Sequence, residues 1–218
     1  MTGIKASWFG LLGVLFFVSA TILAGLQFSN YSHLSQLISE LYAIGTPYGV
    51  QLRYLGFIPS GIFITAFAFL AIKNIPKSTL TQIGFLGIGI FYGIATILVS
   101  LFPCDKGCDK ELVDPSISQQ IHNLSGLLTY IIVPLSLLIL GLSARKWVNN
   151  KYISQVSIIC GLTAVLFVGI LSSDLHSKFA GLYQRIIEGS ILTFITTCSF
   201  YLRTIQKVKP DDKEQQPT

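Results

Sequence analysis

Residues 80–109 read LTQIGFLGIGIFYGIATILVSLFPCDKGCD. From Leu80 to Phe102 there is no Asp, Glu, Lys or Arg. The hydrocarbon core of a bilayer takes about 20 apolar residues of α-helix, and this run has that length. Gly89 and Gly93 stand four apart, the spacing that lets two membrane helices approach closely. The run stops at Pro103, and a polar segment with Cys104, Asp105, Lys106 and Cys108 follows at once.

Five more stretches read the same way: Trp8–Leu26, Tyr54–Ile72, Leu124–Leu142, Ile153–Leu171 and Ile186–Leu202. Glu188, in the first turn of the last, is the one charged residue inside them. The runs are long and continuous, whereas a transmembrane barrel wants alternating segments of about ten residues, so helices are expected. Pro59 and Pro134 fall inside spans, where a kink is the usual result. The first span exceeds the usual 7–15-residue core of a signal peptide and lacks a clear cleavage site, so it is read as an uncleaved helix.

Composition agrees. Of 218 residues, 51% are hydrophobic and 11% charged, against about 25% charged in an average soluble domain. No soluble fold of this size could bury that much apolar surface, which excludes a soluble enzyme and a nucleic-acid binder. The sequence therefore predicts an all-α polytopic membrane protein: six transmembrane helices in one domain over residues 1–208, then a short disordered tail, KPDDKEQQPT, over 209–218.

The basic residues set the expected orientation. Lys5, Lys73, Lys77, Arg145, Lys146, Lys151, Arg203, Lys207, Lys209 and Lys213 all fall on one side, ten of the 15 in the chain. The positive-inside rule makes that side cytoplasmic, with both termini there and an inner (cytoplasmic) membrane as the location. The net charge of +5 is then a topological signal with a possible lipid contact, and no nucleic-acid partner is implied.

Polarity concentrates in the opposite, outer loops. His33, His122 and His176, the 3 histidines, all lie there, as do Glu40, Arg53, Asp105, Asp174, Gln184 and Arg185. Leu34, Leu37, Ile38 and Leu41 follow i, i+3, i+4, i+7 and predict a short amphipathic helix in the first outer loop. It is either a lid sealing the bundle or a pocket floor carrying Ser39 and Glu40. Cys104 and Cys108, four apart on an oxidising face, are expected to form a disulfide. Arg185 and Glu188 stand at i, i+3, close enough to pair, with Arg53 as a further member of an ion-pair network. These residues together form an expected ligand pocket at the outer helix ends.

Two functions compete with a ligand or headgroup pocket. One is a membrane-embedded hydrolase, possibly metal-dependent, on His33, His122 and His176 with Asp105 or Asp174, although no HxxxH or HExxH spacing is present. The other is a structural or assembly subunit. No metal site and no cofactor is assigned, and the partners expected are the bilayer and a lipid or small molecule.

The run Leu34-Ser35-x-x-Ile38-Ser39-Glu40-Leu41 with Gly45-x-Pro47, then Phe102-Pro103-x-Asp105-x-Gly107, then His122 and Gln184-Arg185, resembles the bacterial and archaeal membrane proteins grouped as domain of unknown function 998. The likeness runs over nearly the whole chain. It implies about six helices and a polar outer site without a substrate. The Ile-Ser-Glu…Gly-x-Pro piece is also similar to the six-helix DRAM-like family, which implies lipid and membrane handling. More distantly, the chain is similar to seven-helix hydrolases such as alkaline ceramidases, but lacks their seventh helix and paired histidines.

Overall fold

A computed structural model describes residues 2–208 except 30, 109, 112 and 150; the tail expected over 209–218 lies outside the described residues. Among the described residues the fold is all-α, with no strand. Six long helices follow one another: α1 (Thr2–Gly25), α2 (Gly49–Asn74), α3 (Thr79–Leu101), α4 (Ile117–Ala144), α5 (Lys151–Ser173) and α6 (Ala180–Val208). The first five are long and apolar enough to cross a membrane. Leu15, Leu23, Leu55, Ile83, Ile159 and Leu166 are exposed on their outward faces, as lipid-facing helices require. Helix α6 falls short by composition, since Arg185, Glu188, Arg203 and several hydroxyls interrupt its apolar run.

Each helix packs on its neighbours in sequence, and α6 closes the ring against α1. At one end of the bundle, Thr2 donates to Asn74 at 2.7 Å and Arg203 lies over the Trp8 ring at 4.2 Å. Tyr201 donates to the Val148 carbonyl there at 2.7 Å. This end carries the start of α1, the end of α6 and the short links. At the other, loop-rich end, the Leu182 amide donates to the Leu34 carbonyl and the Ile44 amide to the Cys104 carbonyl, both at 2.9 Å. Helix α6 has contacts at both ends, so it runs the full depth of the ring beside the other five.

The two halves of the ring are filled differently. Toward the terminal end, Phe85 packs on Phe67, Trp147 and Phe194 with ring centroids 6.2–6.5 Å apart, and Trp147 stacks on Tyr201. Below them Ser78 caps α3, accepting from the Thr81 amide, and the hydroxyls of Ser78, Thr81 and Ser143 bond one another at 2.7–3.0 Å. Toward the loop-rich end, α2 and α3 each contain a π-turn, Arg53–Phe57 and Gly89–Ile94. A π-turn inserts one residue into the helix and re-aims the side chains around it. The Gly89–Gly93 spacing falls on the second and faces α2: a side chain at Gly93 would run into Thr65.

The helix expected over 34–41 does not form as an α-helix. Turns occupy that stretch, ending in one 3₁₀ helix, Ser39–Tyr42. The physical reason is competition for its backbone groups. Glu40 accepts from the Leu37 amide at 3.0 Å, Gln36 from Ser32 at 2.9 Å and Gln184 from Ile38 at 2.6 Å. The His33 and Gln36 carbonyls accept from Arg185 at 2.8 and 2.9 Å. Groups that a helix would pair internally are taken by side chains. The apolar periodicity still orients the strap inward, with Ile38 and Leu41 buried.

Candidate functional site

Glu188 lies inside the ring and is 8% exposed. A carboxyl group taken out of bulk water needs hydrogen-bond donors. Tyr92, within the α3 π-turn, donates to its Oε2 at 2.7 Å, and Tyr130 of α4 donates to its Oε1 at 2.9 Å. Three helices thus meet at one carboxylate. Among the described residues no Lys, Arg or His forms an ion pair with it.

Beside this carboxylate is a chamber of about 100 Å³. Phe17 and Phe57 wall one side, the latter placed by the α2 π-turn, with ring centroids 5.4 Å apart and edge-on. Ile38, Ser39 and Tyr42 of the strap roof it, and Tyr42 packs on Phe57 at 4.6 Å. Burial raises the Tyr42 hydroxyl far above its usual pKa, so that group stays protonated. Gly126 and Thr129 of α4 complete the wall.

His122 is also part of it. Its Nδ1 lies 3.3 and 3.1 Å from the carbonyls of Val99 and Phe102, at the end of α3. Helix ends leave carbonyls without partners, and the imidazole satisfies two of them. Because both neighbours are acceptors, Nδ1 carries the proton. Nε2 then offers a lone pair and has no bonded partner among the described residues.

A second polar cluster lies above the chamber. Arg185 donates to the carbonyls of His33, Gln36 and Gly181 at 2.8–2.9 Å and to the Tyr31 hydroxyl at 2.6 Å. It spans the strap and holds it to α6. Its expected partner Glu188 points elsewhere, into the chamber. The guanidinium and partial burial hold the His33 pKa below its usual value, burial being the larger cause. Glu40 joins the strap through Gln36 and lies 3.6 Å from Lys110.

The remaining expected residues are local. Arg53 donates to the Gly49 carbonyl at 3.2 Å, within its own helix. Asp105 accepts from the hydroxyl and amide of Ser116 at 2.7 and 3.0 Å, which holds its carboxyl below the usual range. Asp174 accepts from the His176 amide at 2.9 Å, and His176 lies 3.0 Å from Glu111 on the exposed surface. Cys104 and Cys108 are joined as a disulfide, with Cα atoms 4.9 Å apart.

Of the expected pocket, then, Ser39, His122, Gln184 and Glu188 share the chamber wall, while His33, Glu40 and Arg185 share the strap. The three histidines have separate sets of neighbours. Among the described residues no three His, Cys, Asp or Glu side chains are close enough to hold an ion together. Sequence reasoning missed Tyr92 and Tyr130. The available signal was a lone acid within the spans, which demands donors, and tyrosines at mid-span that can supply them.

An all-α ring with several helices suited to crossing a bilayer, a disulfide in one set of loops and a polar chamber inside defines a multi-pass membrane protein. The chain belongs to the DUF998 family, described as a protein of unknown function, whose profile matches residues 11–201. That range includes the whole chamber and all of the ring but the first turns of α1 and the last turns of α6. Neither a curated protein nor a solved structure matches the chain.

Proposed function

We propose that the chamber around Glu188 is a binding site for a small ligand or a lipid headgroup, carried by a six-span domain over residues 1–208. The observation that carries this reading is the buried carboxylate itself, held by Tyr92 and Tyr130 beside open space. A water position takes about 10–15 Å³ by this measure, so 100 Å³ suits several waters or a group of a few heavy atoms. Two π-turns, which recur at functional sites, place Phe57 and Tyr92 in its wall.

Both termini are cytoplasmic in this reading, in the inner membrane, and the chamber opens to the extracytoplasmic side. The excess of Lys and Arg at the terminal end supports that orientation, as does a disulfide at the loop-rich end, since disulfides persist in oxidising compartments. A hydrolase built on His33, His122 and His176 draws no support from their separate surroundings.

The test uses Gly126, where an added Cβ meets nothing within 4 Å. Gly126 lines the chamber, so Gly126→Leu should occlude it. Native mass spectrometry of protein purified from membranes should show a co-purifying small molecule or lipid that the variant loses while its melting temperature holds. Equal retention by both proteins would defeat the reading.

A further inference from the structure

Resting on that reading, we infer that the chamber is a cage for a small ammonium group, with Glu188 as its counter-charge. Three independent features of the wall lead there.

The first is charge. A carboxylate taken out of water is costly unless a positive charge accompanies it. Tyr92 and Tyr130 give one hydrogen bond to each of its oxygens and bring no charge. Arg185, three residues away, is committed to three carbonyls and the Tyr31 hydroxyl. A bound cation completes the site.

The second is hydrogen-bond polarity. Thr96 donates its proton to the Tyr92 carbonyl at 2.7 Å, and Thr129 donates to the Phe91 carbonyl at 2.6 Å. His122 uses its Nδ1 proton on Val99 and Phe102. Both tyrosine hydroxyls point their protons at Glu188. What these groups turn toward the chamber is lone pairs. Lone pairs beside a carboxylate suit an ammonium, which has protons to give, better than a phosphate, and the donors Tyr42 and Gln184 in the same wall bring no positive charge.

The third is aromatic. Phe17, Tyr42, Phe57 and Tyr92 line the same space, with Phe17 6.2 Å from Tyr92 and 4.6 Å between Tyr42 and Phe57. Aromatic faces attract cations through their quadrupole, most strongly where water is excluded. A carboxylate, the lone pairs of Thr96, Thr129 and His122 and several rings are the chemistry that recognises an ammonium, whether free or as the headgroup of a lipid.

The experiment is calorimetric titration of the purified full chain with ethanolamine hydrochloride, choline chloride, inorganic phosphate and the neutral choline isostere 3,3-dimethylbutan-1-ol. An ammonium should bind, either as a free compound or as the phosphatidylethanolamine headgroup, and the isostere should bind at least about tenfold more weakly than a free cation that binds. Glu188→Gln keeps the size of the side chain and removes its charge, and should weaken the cation by a similar factor. If that variant does not fold, the comparison of cation with isostere on the unaltered chain still decides. Nanodiscs identify the source: binding seen with phosphatidylethanolamine but not phosphatidylglycerol, and not with free ethanolamine, assigns a lipid headgroup. Equal binding of cation and isostere, or binding of phosphate alone, overturns the ammonium inference and leaves the chamber a ligand site. Silence from the free cations and from phosphatidylethanolamine also overturns it, while Gly126→Leu judges the chamber reading separately.

Discussion

The half of the ring near the chain termini and the half near the long loops share the same six helices but are filled by opposite means. Near the termini, Phe67, Phe85, Trp147 and Phe194 occupy the centre, and the hydroxyls of Ser78, Thr81 and Ser143 satisfy one another. Near the loops the centre holds Glu188, His122 and open space, roofed by a strap that Arg185 pins to α6. The first half is what a membrane bundle needs for stability: close contact and paired hydroxyls, with Ser7 Oγ of α1 left as the exception. The second keeps a buried carboxyl and a chamber that better packing could have filled. In the reading proposed above, that difference marks where stability is traded for a binding site.

Substitutions can break this contrast in either half. The largest effect is expected from Phe85→Ala, which removes a fully buried ring at the centre of the aromatic half and should cost about 3–5 kcal/mol in unfolding free energy. Denaturant unfolding in detergent reads it. Arg185→Ala comes next, at about 2–3 kcal/mol, because charge-assisted bonds to three carbonyls and a hydroxyl vanish together. Its distinguishing sign is faster proteolysis within the strap, residues 31–42, before global unfolding. Arg185→Lys should recover only part, since a point charge replaces a fork.

Within the chamber, Tyr92→Phe removes one donor to Glu188 and should cost about 1–2 kcal/mol. The same change made together with Glu188→Gln should cost less than alone, and strict additivity would show that the two groups are not coupled. In the opposite direction, Gly126→Ala should raise stability by up to about 1 kcal/mol, because alanine is the better helix former and its Cβ meets nothing within 4 Å. A gain in stability paired with weaker ligand binding would sharpen the contrast between the halves.

The smallest effect concerns pH. The folded pKa of His33 lies below its usual 6.5, so the folded chain binds fewer protons than the unfolded one just below that pH. Stability should rise with pH through this window and fall as acid protonates the ring. His33 is exposed, so the slope is small, and His33→Gln should flatten it. An unchanged slope in that variant would assign the dependence to another group.

Much of the fold was legible because membrane burial leaves a strong mark on sequence. Runs such as Leu80–Phe102 announce helices whatever their neighbours, since lipid offers the backbone no other partner. The strap shows where local reading fails. Its apolar period at Leu34, Leu37, Ile38 and Leu41 is that of a helix, but Glu40, Gln184 and Arg185 take its backbone groups first. Two of those competitors sit at the far end of the chain. Likewise the pairing of Arg185 with Glu188, natural at i, i+3, gave way because one faces carbonyls above and the other tyrosines within.

The amino-acid sequence by itself determined an all-α chain with long apolar helices, the segregation of basic residues from acids and histidines, and the bond between Cys104 and Cys108. Each follows from composition or from residues close in the chain. Only the tertiary structure decided that Tyr92, Tyr130 and Glu188 meet, that His122 caps α3 and that Phe57 turns inward. These side chains come from different helices, and their convergence depends on the order of helices round the ring and on two π-turns that reset helical phase. No local pattern encodes either one.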